Sequence, residues 1–367
     1  MPGLFVRNQA EALVDQYEVA VLYVHADQNL AVGCETDLAM ENGIRVCRIY
    51  YRVPSGFSVF NPVLKWIRFF RAHSRGMAAL RFRPDLVHVH VLTRHALIAW
   101  FWKIKYGYPY IVSEHWSRYL PENNTYKGFI RKNVTRFIAW KANAMIAVSG
   151  RLRISMQCRK VDNRRWFIIP NIVDQDRFSL PARTGIREKK IILHISCFED
   201  RSKNISGLLR ALKVLSHERN DFICRIIGEG PDLDRMKQYA RETGLDGSLV
   251  NFEGLRENRE MIDILHDGDF LILTSHYETF GTVLAEAMSC GLPVVSTRVG
   301  IADEIVKPST GILVDHDDES ITAGINRMLD HYGEYDRLKI RQSVTGKFSK
   351  ESVGRQLMDV YQTIVTS

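Results

Sequence analysis

The stretch Ser275-His276-Tyr277-Glu278-Thr279-Phe280-Gly281-Thr282-Val283-Leu284-Ala285-Glu286-Ala287-Met288 holds residue types at spacings that can do chemistry. It follows the apolar run 270–273, which reads as a buried strand, and Gly281 stands where loop becomes helix. The first N–H groups of a helix have no partner inside it, and the helix dipole is positive there. The amides of Thr282 and Val283 therefore form an anion site suited to phosphate. Gly281, without a Cβ, lets backbone come close to that phosphate. Helical side chains lean toward the N-terminus, so Glu286, one turn inside, reaches back past the phosphate toward two adjacent hydroxyls, as on a ribose. Glu278 lies on the other side of the phosphates. An arbitrary pair of glutamates is more often a helix-dipole partner and a surface charge. One anion site between two carboxylates instead fits a ligand with ribose, diphosphate and hexose in line.

These residues need elements to hold them. From residue 190 onward, strands at 190–196, 222–227, 249–252, 270–273 and 293–296 alternate with helices at 204–217, 231–243, 258–267 and 281–290. The first half opens with a helical pattern (Phe5, Gln9, Leu13) ending near Gln16. It then shows strands at 17–24, 44–52, 86–90, 110–113, 144–148 and 167–169, with helices at 61–82, 94–105 and 127–141. The loop 174–189, with Pro181 and Gly185, is the predicted linker, and 350–365 is an amphipathic final helix. This rhythm predicts an α/β fold of two doubly wound halves facing a cleft, with ligands outside the carboxyl ends of the strands.

Composition sets the outer bounds. The 367 residues are 46% hydrophobic and 25% charged, as in a globular protein of two domains. Residues 1–180 carry 26 Lys plus Arg against 13 Asp plus Glu, and the remainder 24 against 29, so a basic half (+13) precedes a mildly acidic one (−5). The basic half suits an anionic partner such as lipid or a phosphate-bearing acceptor, or else is a solvated basic face. No nucleic-acid-binding module is present. Six scattered cysteines without a CxxC pair argue for a reducing compartment and against a zinc site or disulfide framework. The longest apolar run, 96–102, is far too short to span a bilayer, and no signal peptide is evident. His88 and His90 alternate on one strand, which invites a metal reading, and Asp232-x-Asp234 and Asp267-x-Asp269 invite another. Neither Asp-x-Asp pair lies beside the nucleotide motif, and no metal is expected.

The segment 275–288 resembles the Glu-x7-Glu motif of glycosyltransferase family 4, the "glycosyl transferases group 1" of GT-B architecture. Gly228-Glu229-Gly230-Pro231, Phe252-Glu253-Gly254, Gly291-Leu292-Pro293-Val294-Val295, Gly311-Ile312-Leu313-Val314 and Pro170-Asn171-Ile172-Val173-Asp174 agree with it. The resemblance covers nearly the whole chain and is densest over 190–315. It implies two Rossmann-like domains: 1–172 with the last helix, 349–367, for the acceptor, and 173–348 for a nucleotide-sugar donor. It implies catalytic roles for Glu278, Lys203 and His115. Glu278 would contact donor-sugar hydroxyls with the backbone of Phe280 and Gly281, the Thr282 and Val283 amides and Lys203 would hold phosphate, and Glu286 would hold ribose. It further implies a retaining, metal-independent transfer of a hexose to a glycan or lipid-linked hydroxyl, with no cofactor beyond the sugar nucleotide. The setting would be bacterial surface polysaccharide or lipopolysaccharide synthesis, at the cytoplasmic face of the membrane. The basic, aromatic-rich helices 61–82 and 127–141 suggest peripheral docking on anionic lipid.

The sequence also departs from the pattern. The family's Gly-Arg pair, six residues before the lysine, is Ser196-Cys197 here, with Arg201 the nearest substitute, and the family's Gly-Gly near 300 is Gly300-Ile301. Similar proteins open with a strand and a glycine-rich loop. Here the chain starts inside that loop, with Gly3 as its glycine and acceptor contact, so the first sheet is expected to lack a central strand. Two rivals share these residues. A sugar phosphorylase or epimerase of the same fold would use the second half alike, and a non-catalytic member would bind a sugar nucleotide or a partner without turnover.

Overall fold

A strand covered on both faces reads as an unbroken apolar run, and such runs set the centre of each half. The computed structural model describes residues 3–31, 33–53, 61–92, 94–181, 188–257 and 259–366. The first half contains α1 (Leu4–Glu11), β1 (Ala20–Asp27), β2 (Cys34–Glu41), β3 (Ile44–Arg52), α2 (Asn61–Leu80), β4 (Val87–His90) and α3 (Arg94–Tyr106). It continues with β5 (Tyr110–Glu114), α4 (Phe129–Lys141), β6 (Ala144–Ala147), α5 (Gly150–Cys158) and β7 (Trp166–Ile168).

These strands form two sheets, not one. β4-β5-β6-β7 is wholly parallel, whereas in β1-β3-β2 the pair β1/β3 is parallel and β2/β3 is an antiparallel hairpin. β1 pairs only with β3, and β4 only with β5, among the described residues. β2 went unread because its sequence, CETDLAME, is largely polar, although Asn42-Gly43 after it, both at positive φ, is a strong hairpin signal. The first helix ends at Glu11 instead of near residue 16, and the first strand begins three residues later than expected.

The second half contains β8 (Lys190–Ile195), α6 (Asp200–Lys203), α7 (Ile205–Leu215), β9 (Phe222–Ile227), α8 (Leu233–Glu242), β10 (Val250–Gly254), α9 (Arg259–Asp267) and β11 (Phe270–Leu273). Then come α10 (Thr282–Ser289), β12 (Val294–Thr297), α11 (Ala302–Ile305), β13 (Gly311–Val314), α12 (Asp318–His331) and α13 (Arg337–Phe348). α14 (Lys350–Val365) closes the chain. The six strands are all parallel, in the order β10-β9-β8-β11-β12-β13. The order reverses between β8 and β11, which opens the crevice where ligands bind in such sheets. All four residues of β11 are buried, and each large apolar side chain so placed contributes about 1.5–3 kcal/mol.

α14 returns to the first half. Val353, Leu357, Val360 and Ile364 share a buried cluster with Leu13, Ile111 and Ile146, and the Tyr361 hydroxyl lies 2.6 Å from His88 Nδ1. The stretch from Asp174 to Pro181 is less free than a linker. Phe178 is buried, and Arg341 of α13 donates to the carbonyls of Gln175 and Phe178; residues 182–187 lie outside the described residues.

Candidate active site

The loops after β8 and β11 meet at the crevice. The β8 loop runs into α6 and carries Lys203 at its end; the β11 loop carries Glu278 and leads into α10. Cross-loop hydrogen bonds fix them together. Thr274 Oγ1 donates to the carbonyls of Lys203 (3.0 Å) and Asn204 (3.1 Å), and the His276 N–H donates to the Ser202 carbonyl at 2.8 Å.

The result is an ion pair at the floor of the crevice. Lys203 Nζ lies 2.5 Å from Glu278 Oε1, and both side chains are about four-fifths or more buried, at 16% and 15% exposure. Ser275 Oγ donates to the same carboxylate oxygen at 2.9 Å. Burial pulls the Lys203 ammonium down, but the Glu278 charge and hydrogen bond outweigh it and leave the pKa above its ordinary value. Lys203 is a fixed cation at neutral pH.

Two cavities adjoin at this pair. The smaller, of about 250 Å³, is lined by Asn171, Phe280, Gly281, Thr282 and Val283 together with Lys203, Glu278 and Thr279. Thr282 and Val283 open α10, whose cap is Gly281 at φ 87, ψ 54. A Cβ at Gly281 would meet Leu284 and Leu273 at ordinary van der Waals distance, so the left-handed φ, and not room, is what the position demands. Glu286 sits on the next turn of α10. Burial pushes its carboxyl from the ordinary 4.5 up to about 7, with Arg177 pulling the other way.

The larger cavity, of about 520 Å³, lies between the halves. The second half contributes Cys197, Glu199, Arg201, Lys203, Tyr277 and Glu278, and the first half faces them with His115, Trp116, Arg118, Asn123 and Arg131. Direct bonds cross the cleft beside it. Ser149 Oγ donates to the Thr279 carbonyl at 2.6 Å, and Arg201 donates to the Asn123 carbonyl, also at 2.6 Å.

The expected residues fall into place unevenly. Glu278, Lys203, Phe280, Gly281, Thr282 and Val283 converge on the smaller cavity, and Glu286 is next to its helix N-terminus. His115 lines the larger one. It is buried, stacked on Phe5 with ring centroids 4.0 Å apart, and 3.4 Å from His90 Nδ1. Burial, then the His90 ring, holds its pKa well below the ordinary value, so it is neutral near pH 7. Arg201 lines the larger cavity and spends one guanidinium nitrogen on the opposite half. Gly3, at φ 95, caps α1 and lines neither cavity. His88 uses both ring nitrogens on hydroxyls, those of Tyr361 and Ser113. Among the described residues no group of His, Cys, Asp or Glu is arranged to hold a metal.

Sequence reasoning missed Trp116, Arg118, Asn123 and Arg131. Trp116 follows His115 directly and Arg118 stands three residues after it, and that proximity was the available signal. It also missed Glu114, a fully buried carboxylate that accepts the amides of Leu92, His115 and Trp116 at 2.8–2.9 Å and so sets the loop entering the cleft.

Residues 176–343 match the family model described as "Glycosyl transferases group 1", and residues 2–172 match the "Glycosyl transferase 4-like domain". N-acetyl-alpha-D-glucosaminyl L-malate synthase of Bacillus anthracis is 26% identical over 309 residues, 78% of this chain and 77% of its own length. Among solved structures, a sucrose-phosphate synthase from Thermosynechococcus elongatus superposes with a TM-score of 0.80 at 20% identity, covering 100% of this chain and 94% of the other. Anabaena HepE, solved with UDP and glucose, gives 0.74 at 16% identity over 98% and 95%.

Proposed function

The chain belongs to the glycosyl transferases group 1 family and is a glycosyltransferase of GT-B type, and on that premise we propose that it moves a hexose, with retention of configuration, from a nucleoside-diphosphate sugar to a hydroxyl. The observation that carries this reading is the Lys203–Glu278 pair, seated where the two cavities meet and beside the N-terminus of α10. The diphosphate occupies the smaller cavity against the Thr282 and Val283 amides. Glu286 accepts the ribose hydroxyls, and Glu278 accepts hydroxyls of the sugar. In this reading the bond from the anomeric carbon to the diphosphate oxygen breaks as the acceptor oxygen bonds to that carbon on the same face. The acceptor proton passes to the departing phosphate oxygen. Lys203 and the helix N-terminus stabilise the charge that develops there, and no metal is called for. Neutral His115 orients the sugar as a hydrogen-bonding group. That relatives' structures hold UDP and glucose supports a uridine nucleotide as the first donor to try.

A thermal-shift screen of nucleotide sugars tests the donor site, because a ligand that binds only the folded chain raises Tm. One donor should shift the wild type and leave Glu286→Ala unmoved. No shift with any donor would sink the reading. Glu286 also sets a pH dependence. Its carboxyl is protonated below about 7 and accepts both ribose hydroxyls only when ionised. The donor-induced shift in Tm should therefore grow from about pH 6 to about pH 8. The free protein moves the opposite way, because a raised acid pKa contributes stability at low pH that is lost as pH rises through about 7. Both trends should be absent in Glu286→Gln, whose thermal melts provide the check.

The acceptor in this proposal is a glycan or a lipid-linked hydroxyl of surface polysaccharide synthesis, met at the cytoplasmic face of the membrane. Trp66 and Ile67 of α2, Phe101 and Ile104 of α3, and Phe129, Ile130 and Trp140 of α4 are exposed among lysines and arginines. α2, α3 and α4 are joined by the ring contacts Phe70–Phe101 and Trp100–Phe137. An apolar face studded with cations suits an anionic bilayer surface, and no helix among the described residues is long and apolar enough to cross one. Sedimentation with phosphatidylglycerol-containing vesicles should exceed that with pure phosphatidylcholine, and Trp140→Glu should reduce it. Equal sedimentation with both would remove the membrane from the account.

A further inference from the structure

The larger cavity is lined by four cations, Arg118, Arg131, Arg201 and Lys203, against two carboxylates, Glu199 and Glu278. Glu278 is committed to Lys203, and Glu199 accepts the Ser202 hydroxyl at 3.0 Å. Of the two carboxylates four residues from Arg118 in sequence, Glu114 spends both oxygens on backbone amides and Glu122 pairs with Arg151 at 2.6 Å. Neither Arg118 nor Arg131 has an ion pair or a side-chain hydrogen bond among the described residues.

Arg118 is nevertheless held in place. Its guanidinium lies over the Trp116 ring, 3.9 Å from the centroid, and the group is half-buried. Burial weakens its hold on the proton, Tyr119 and Glu114 work the other way, and Arg131 adds a smaller push in the direction of burial, although an arginine remains charged. Arg131 stands in the first turn of α4, where the helix dipole makes positive charge unfavourable; that turn has no acidic residue and no side-chain cap. Two guanidiniums close enough to disfavour each other, one pinned on an indole and one at the wrong end of a helix, gain from an anion between them. A planar fork of donors suits phosphate or carboxylate.

We infer that the acceptor hydroxyl belongs to a molecule that also carries a phosphate or carboxylate group, and that Arg118 and Arg131 hold that group on the first-half side of the cleft. The inference rests on the glycosyl-transfer reading, since it takes the smaller cavity as the donor's and the larger as the acceptor's. It makes the two arginines specificity determinants, and neutral acceptors of the same shape poor substrates.

The probes are inorganic phosphate and malonate, titrated calorimetrically into the full chain saturated with UDP. Saturable binding is expected, about tenfold or more weaker in Arg118→Gln and in Arg131→Gln. Phosphate binding tighter than malonate marks a phosphorylated acceptor, and the reverse a carboxylic one. Retention of the UDP-induced rise in Tm by both variants shows that they are folded. No saturable binding, binding indifferent to both substitutions, or anions displaced by UDP would overturn the inference. Should UDP itself fail to bind while phosphate binds through Arg118, the anion site stands and the donor reading falls. Should UDP bind and the anions not, the donor reading stands and this site falls.

Discussion

Lys203→Ala is expected to lower kcat by about 10²–10³-fold, the scale of losing one preorganised charge at a developing oxyanion. Among the described residues Lys203 is the one cation that borders both cavities, and in the proposed reaction its ammonium meets the leaving diphosphate oxygen as the bond to the sugar breaks. The loss should fall on kcat more than on KM, because the charge it meets is largest in the transition state. The substitution also strands Glu278, a carboxylate only 15% exposed, with Ser275 as its remaining partner. Removing one member of a buried pair costs up to about 3 kcal/mol at such a site. Lys203→Arg restores charge but not geometry, because a planar fork does not occupy the place of a compact ammonium, and it should recover stability better than rate. Steady-state kinetics beside urea melts separate the two effects. A Lys203→Ala protein of near-normal kcat would remove the lysine from the chemistry.

Gly300→Ala should be a severely damaging single methyl beside the site. Gly300 has φ 55, and a Cβ there would lie 2.2 Å from the Phe280 carbonyl oxygen and 3.2 Å from Glu278 Cβ. That carbonyl accepts the Ile301 amide at 2.9 Å, so backbone, not a side chain, must give way. The displaced backbone is the one that leads through Gly281 into the α10 amides. Expected are a stability loss of about 2–4 kcal/mol and disappearance of the donor-induced Tm shift. Gly244→Ala is the control. It shares a left-handed φ, 72, but a Cβ there meets nothing within 4 Å, so it should cost only about 1 kcal/mol and leave donor binding intact. If both variants behave alike, the contact with Phe280 has no bearing on the site. The same region explains Ile301, which stands where the resemblance led one to expect a second glycine. Its φ of −97 needs no glycine, and its side chain is 1% exposed in the core.

What the sequence disclosed follows from range. The donor-side motif is local: strand, loop and helix N-terminus lie within 270–289, and the strands of the second half fell within one or two residues of their observed limits. Buried parallel strands such as Phe270–Leu273 have no polar face to blur the pattern. The hairpin strand Cys34–Glu41 has one, and it was overlooked. β13, α12 and α13 were also left unassigned, although Gly311-Ile312-Leu313-Val314 had been singled out as a motif. The arginines of the larger cavity were illegible for a different reason. Arg118 and Arg131 come to face Arg201 only through the packing of two halves, and no window of sequence contains all three. The split of the first sheet is likewise a matter of pairing, which periodicity does not encode.

The packing of α14 has a consequence for how the protein is made. Its apolar stripe completes a cluster begun by Leu13, and its Tyr361 meets His88 across 273 residues of chain. The first half is therefore translated long before the element that covers one of its faces. At about 5–20 residues per second that face waits on the order of ten seconds or more for its partner. A contact of such sequence separation also forms late, because loop closure must come first. The order of synthesis and the order of completion thus run in opposite directions, and the nascent first half keeps that apolar face uncovered until the last helix is made.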